Sequence, residues 1–154
     1  MPSSVTAKIK LALERRSAVA FVLASACLLA VLLSASFNTR SLQVSGHIVR
    51  LEVAKTAAAQ AKGLGGRQGI ANDQGMLFVF SKEDVECFWM KDMRFPLDII
   101  WLDGRQKVRY IEHNLSSQTY PHSYCPAVPA KFVIELNAGQ AEALRIEPGR
   151  RLSF

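Results

Sequence analysis

Hydrophobic positions along this chain fall into one long unbroken block followed by several short alternating runs. From Ser17 to Ser36, SAVAFVLASACLLAVLLSAS carries no charge. A helix over it would be about 30 Å long, the thickness of a bilayer's hydrocarbon layer, so the segment is expected to enter a membrane. Beyond it the pattern changes. In HIVRLEVA, His47–Ala54, Val49, Leu51 and Val53 alternate with Ile48, Arg50 and Glu52, the period of a half-buried strand. Alanine-rich Lys55–Lys62 suits a short helix that Gly63 can end, and GLGGRQGIANDQG after it reads as loop. Strand-like runs then start at Gly75 (GMLFVF), Val85 (VECFWM), Leu97 (LDIIWLD), Lys107 (KVRYIEH) and Lys131 (KFVIEL).

The connections set the expected topology. Asp103-Gly104 is a hairpin signal, Pro121, Pro126 and Pro129 mark an irregular crossing, and Pro148-Gly149 turns the chain into a last strand, RRLSF. Asn137 is placed to cap a short helix through AGQAEAL. Consecutive strands with short turns favour meanders over parallel crossovers. The expected fold is therefore α+β and mostly β: a small antiparallel barrel or strongly curved sheet with two short helices, preceded by one transmembrane helix. The organisation expected is a basic N-terminus over 1–16, the apolar segment over 17–36, a polar tether over 37–46 and a β-rich domain over 47–154.

Charge orients the apolar segment. Lys8, Lys10, Arg15 and Arg16 precede it against Glu14, and only Arg40 follows closely, so the N-terminus is expected in the cytoplasm and the domain outside it. The run is longer than most signal-peptide cores and reads as a retained anchor. Ser34-Ala35-Ser36 offers the alternative, cleavage before Phe37 and release as a secreted or periplasmic protein. The net charge of +6 divides equally: residues 1–36 carry four Lys or Arg against one acid, and the remaining +3 is spread thinly over 37–154. Half the excess is thus a topology signal. What is left forms no basic run and no aromatic RNA-binding signature, so no nucleic-acid partner is expected.

Export changes the meaning of the cysteines. Cys27 lies in the apolar run, leaving Cys87 and Cys125 as the one pair in the exported part. Oxidised, they would close a loop of about forty residues, worth roughly 4 kcal/mol in the chain-entropy model; two buried free thiols are the alternative.

The blocks GLGGR, GMLFVF, CFWMKDMRFPLDIIWLD, TYPHSYCP and KFVIELNAG occur in the order and approximate spacing of the bacterial and archaeal family called domain of unknown function 192. The chain resembles that family over about residues 48–154. The resemblance implies a small, mostly β domain, often behind an export signal, and it supplies no reaction and no functional residue. Family members often read GLMGR where this chain has Gly65, which implies a looser loop here.

Candidate chemistry concentrates in CFWMKDMRFPLDIIWLDG, Cys87–Gly104. If Val85–Lys91 is extended, Cys87, Trp89 and Lys91 share one face, and Glu86, Phe88 and Met90 the other. On the next strand Asp98 falls in a row with Ile100 and Leu102, and a carboxylate there needs a cation or backbone donors. Arg67, Lys91 and Arg94 are the candidate cations. In a functional arrangement Arg67, Lys91 and Asp98, walled by Trp89 and Tyr120, would line a polar pocket in the barrel mouth and grip a carboxylate, phosphate or sugar. In a structural one, an Arg67–Asp98 bridge would pin the glycine-rich loop to the sheet.

Other chemistries lack their spacing. Cys87, Met90 and Met93 do not share a strand face as copper ligands would, and His47, His113 and His122 form no HxH or HExxH. GLGGRQG follows a helix instead of a strand and is no phosphate-binding P-loop, and no GxSxG is present. No metal and no cofactor are expected, and no catalytic residue is assigned. The expectation is a membrane-tethered or secreted binding or accessory module for a small polar ligand, glycan or polypeptide. The alternative is an envelope hydrolase using Asp98 or Lys91 as acid or base.

Overall fold

The computed structural model describes residues 38–154; the apolar segment 17–36, with the anchor and signal readings that depend on it, lies outside the described residues. Eight strands and two short helices follow in the order β1 (Thr39–Val44), β2 (His47–Ala54), α1 (Ala57–Lys62), β3 (Gln74–Asp84), β4 (Phe88–Trp89), β5 (Leu97–Leu102), β6 (Val108–Leu115), β7 (Ser123–Tyr124), β8 (Ala130–Asn137) and α2 (Gln140–Ala143). Six strands form one sheet in the order β1-β2-β3-β8-β5-β6, and β4 and β7 form a separate two-stranded ribbon. The fold is mostly β with two short helices, as the alternation predicts.

Three features depart from expectation. The segment read as a polar tether supplies β1, which pairs antiparallel with β2 along its whole length; Leu42 and Val44 are buried although their neighbours are polar. Meandering also fails twice, because β2 and β3 run parallel and β8 inserts between β3 and β5. Residues 55–73 between β2 and β3 are long enough for a crossover, and α1 lies within it. Finally, of the two expected forms the curved sheet holds and the barrel does not, since the sheet is not closed. Its edges, β1 and β6, do not pair with each other, and the expected last strand reaches them only through isolated bridges, Ser153 to Gln43 and Arg151 to Lys107.

Curvature gives the sheet two unlike faces. On the concave face, residues from both edges, Leu42 and Val44 of β1 and Val108 and Ile111 of β6, join Leu51, Leu77, Ile100 and Ile134 in one core, plugged by Ala141, Leu144, Ile146 and Leu152. On the other face, Met76, Phe78, Ile99, Trp101 and Val133 pack beneath Leu64, Met90 and the β4–β7 ribbon. Strands β5 and β8, central and covered on both sides, are apolar in both parities. The Cys87–Cys125 disulfide forms, with a Cα–Cα distance of 4.3 Å, next to the ribbon pairs Phe88–Tyr124 and Trp89–Ser123. It staples a ribbon too short to hold itself, and the run from Val85 to Met90 is a strand only over Phe88–Trp89.

Candidate functional site

Sheet register explains where the charged side chains end up. Glu52 of β2 pairs with Met76 of β3, Met76 with Glu135 of β8, and Glu135 with Ile99 of β5, so these four form a row across the outer face. Asp98, one residue from Ile99, projects from the concave face. Arg67 reaches the outer row from the glycine-rich loop and forks onto Glu52 at 2.6 and 2.7 Å. This bidentate bond holds Glu52 below its usual carboxylate range and raises Arg67, in each case against partial desolvation.

The expected Arg67–Asp98 bridge is therefore absent. Asp98 is 0% exposed, and its two oxygens accept from backbone amides, Asn114 N at 2.9 Å and Ala141 N at 2.8 Å. The second of these satisfies the start of α2, the job expected of Asn137. Asn137 instead donates to Ile70 O and to Asn72 Oδ1, and Gly139, at φ +81°, leads into the helix without a side-chain cap. Asp98 thus belongs to the backbone donors rather than to a cation.

Glu135 is the unexpected residue. It is 5% exposed, and its Oε2 is the one buried side-chain oxygen or nitrogen without a hydrogen-bond partner among the described residues. Burial pushes its carboxyl from the ordinary 4.5 up to about 8, against the opposing field of Arg67. Glu135 is among the residues lining a cavity of about 260 Å3 on the outer face, bounded on one side by Gln60–Gly65 and on the other by Phe78, Phe80, Glu86, Cys87, Phe88, Trp89, Lys91 and Met93. Gly63, at φ +49°, lies over it: a Cβ there would stand 3.5 Å from Phe78 Cζ and 3.8 Å from Glu135 Oε2. Helix α1 is held in place by Thr56, whose Oγ1 accepts from Ala59 N, and by Gln60, whose Nε2 donates to Val79 O at 3.1 Å. Phe88 packs edge-on against Phe78 at 4.9 Å and Phe80 at 6.5 Å, giving an aromatic collar.

A second, shallower hollow of about 570 Å3 opens beside the first and shares Lys62, Gly65, Trp89, Lys91 and Met93 with it, adding Asp92 and Arg94. Gly65 stands between the two, its missing side chain 3.0 Å from Lys62 O and 3.4 Å from Lys91 O. The loop around it is tied down by Gly66 N to Asp92 O at 2.9 Å and Gly65 N to Lys62 O at 3.0 Å, so glycine at this position lets the loop approach the backbone of Lys91 and Asp92 closely.

Of the five candidate ligand residues, Trp89 and Lys91 line this site, with Trp89 52% exposed at its rim. Arg67 braces it from outside through Glu52, whereas Asp98 and the exposed Tyr120 lie in neither hollow. The site is on the outer face under α1 and the ribbon, not in a barrel mouth. A signal for Glu135 does exist in KFVIEL: on a strand apolar in both parities, the single acid is the position to question. The strand β8 was legible, but which of its faces was covered was not.

Known proteins agree with this architecture. Residues 40–154 match the family model of domain of unknown function 192, described as uncharacterised. No functionally curated protein matches the chain. A solved structure of a protein of unknown function from Novosphingobium aromaticivorans is 33% identical, with a TM-score of 0.70, covering 75% of this chain and 85% of that one. Another, from Sinorhizobium meliloti and described as a "putative transcription regulator", is 30% identical with a TM-score of 0.68, covering 73% and 89%. On the match over residues 40–154, the chain belongs to the domain of unknown function 192 family.

Proposed function

We propose that the chain is a non-catalytic binding or accessory module of the cell envelope, tethered by its apolar segment or released by cleavage before Phe37, that takes a small polar ligand in the Glu135 cavity. The observation carrying this is that Glu135, a lining residue of an aromatic-walled hollow, has a buried Oε2 without a partner. A buried carboxyl without a partner costs stability, and a ligand donor offsets that cost. At about 260 Å3 the cavity falls below the roughly 300–1,000 Å3 of drug-sized sites, so it suits a monosaccharide- or amino-acid-sized body, or the end group of something longer.

The hydrolase alternative loses Asp98, both of whose oxygens are committed to backbone amides, and among the described residues nothing around Lys91 favours its use as acid or base. Nor does the description of the Sinorhizobium relative find support among the described residues, whose helices of six and four residues are too short to lie along a major groove.

A thermal-shift screen of the full-length protein in detergent against envelope metabolites and small glycans tests the site. At least one compound should raise the melting temperature of the wild type and leave Glu135→Gln unmoved. A screen in which every stabilising compound acts equally on both proteins would reject the cavity as the binding site. Protease protection in intact cells tests the location: the domain should be digested only from outside the cytoplasm.

A further inference from the structure

The cavity has a direction. At its floor is a single buried carboxyl whose free oxygen needs a donor. Around the middle are the rings of Phe78, Phe80 and Phe88. At the mouth stand Lys62 and Lys91, which line both hollows and form no ion pair among the described residues. Aromatic rings beside a carboxylate suit a cation, because the ring quadrupole and the negative oxygen act together. Two unpaired ammonium groups at the rim suit an anion.

Resting on the function proposed above, we propose that the ligand is a small zwitterion, whose primary ammonium pairs with Glu135 inside the aromatic collar and whose carboxylate lies between Lys62 and Lys91. The other charged groups around the floor are accounted for. Arg67 faces Glu135 but is neutralised by its fork onto Glu52, and Glu86, desolvated at the cavity wall, is raised above its ordinary range. Asp92 and Arg94 lie only in the outer hollow, and Cys87 is oxidised. Without ligand, burial keeps the proton on Glu135 near neutrality. Entry of an ammonium displaces that proton to the buffer, and the charged pair replaces a neutral acid. A hydroxyl or amide donor would leave the proton where it is, which separates a zwitterion from a neutral sugar.

The test is calorimetric titration of the full-length protein in detergent with γ-aminobutyrate, δ-aminovalerate and ε-aminocaproate, and with valerate and pentylamine as probes lacking one end. One or more of the three amino acids should bind and release about one proton, read by repeating the titration in buffers of different ionisation enthalpy. The matching one-ended probes should bind at least about tenfold more weakly, the effect of one charge-assisted hydrogen bond. Glu135→Gln, nearly isosteric, should erase the advantage over valerate, and Lys62→Ala with Lys91→Ala should erase the advantage over pentylamine. Valerate binding as tightly as the amino acid, or binding without proton release, overturns the proposal. If none of the three amino acids binds while a neutral compound from the thermal screen does so through Glu135, the zwitterion is wrong and the cavity stands. If Glu135→Gln alters no binding at all, both fall.

Discussion

Two acids lie one register step apart in the middle of this sheet and are treated in opposite ways. Asp98 pairs with Leu136, and Ile99, the next residue, pairs with Glu135. Asp98 faces the concave core, and each of its oxygens holds a backbone amide. Glu135 faces outward, also buried, with Oε2 holding nothing. The same burial that makes Asp98 a good anchor makes Glu135 a liability, because a low-dielectric interior strengthens a satisfied polar group and penalises an orphan. The difference teaches which of two buried carboxyls in one sheet to examine for function: the one whose hydrogen bonding is incomplete.

The largest effect expected from breaking this contrast is at Asp98. Asp98→Ala leaves the amides of Asn114 and Ala141 unpaired in the core and detaches the start of α2. At about 1–3 kcal/mol for each orphaned group, a loss of roughly 2–6 kcal/mol follows. For a domain of this size that lowers the melting temperature by about 10 °C or more. An unchanged melting curve would show that Asp98 is not the anchor its geometry makes it. Binding at the Glu135 cavity should survive in whatever fraction stays folded.

Much of this was readable beforehand, and the failures share a cause. Alternation placed β2, short apolar runs placed β5 and β8, and strand parity correctly separated Asp98, Ile100 and Leu102 from Leu97, Ile99 and Trp101, which the two cores confirm. Around Trp89 parity also held: Phe88 and Met90 turn inward while Cys87, Trp89 and Lys91 are exposed. What stayed hidden was anything set by which strands become neighbours. Strand β8 inserts between β3 and β5, far from both in sequence, and only that placement brings Glu135 beneath Gly63 and Phe78. The same non-local pairing sends Arg67 to Glu52 instead of Asp98. β1 was missed because only Leu42 and Val44 carry its apolar face, and two residues are too few to show a period.

The disulfide offers the next test, at an intermediate effect. Cys87–Cys125 spans a sequence separation of 38 and holds the ribbon whose Phe88 and Trp89 form one wall of the cavity. Cys87→Ser with Cys125→Ser should cost about 2–4 kcal/mol. It should also weaken ligand binding by more than it would if the ribbon were incidental, since the wall would no longer be fixed opposite α1. Loss of stability with binding intact would detach the ribbon from the site and leave Glu135 to act with α1 alone.

The smallest effect in acid, and the one most dependent on pH, belongs to Glu135→Gln. Near pH 7 the native carboxyl is largely protonated, because burial raises it to about 8. The unfolded chain has released that proton by pH 7, so an amide of nearly the same shape should match the native acid in stability only below the ordinary 4.5 and already exceed it at neutral pH. A carboxyl raised in the folded state keeps a proton that the unfolded chain releases, so folding stability is fullest below the ordinary 4.5, falls as pH rises from there, and levels off above about 8. Lys62, Arg67 with Glu52, Glu86 and Lys91 surround the group; the lowered Glu52 works in the opposite sense, but at the acid end of this window and below it. Denaturant unfolding of wild type and Glu135→Gln from pH 5 to about 9 should thus give curves that lie close together in acid and diverge toward alkaline pH, with the variant the more stable. Parallel curves would mean that Glu135 already has a partner, and the contrast with Asp98 would vanish.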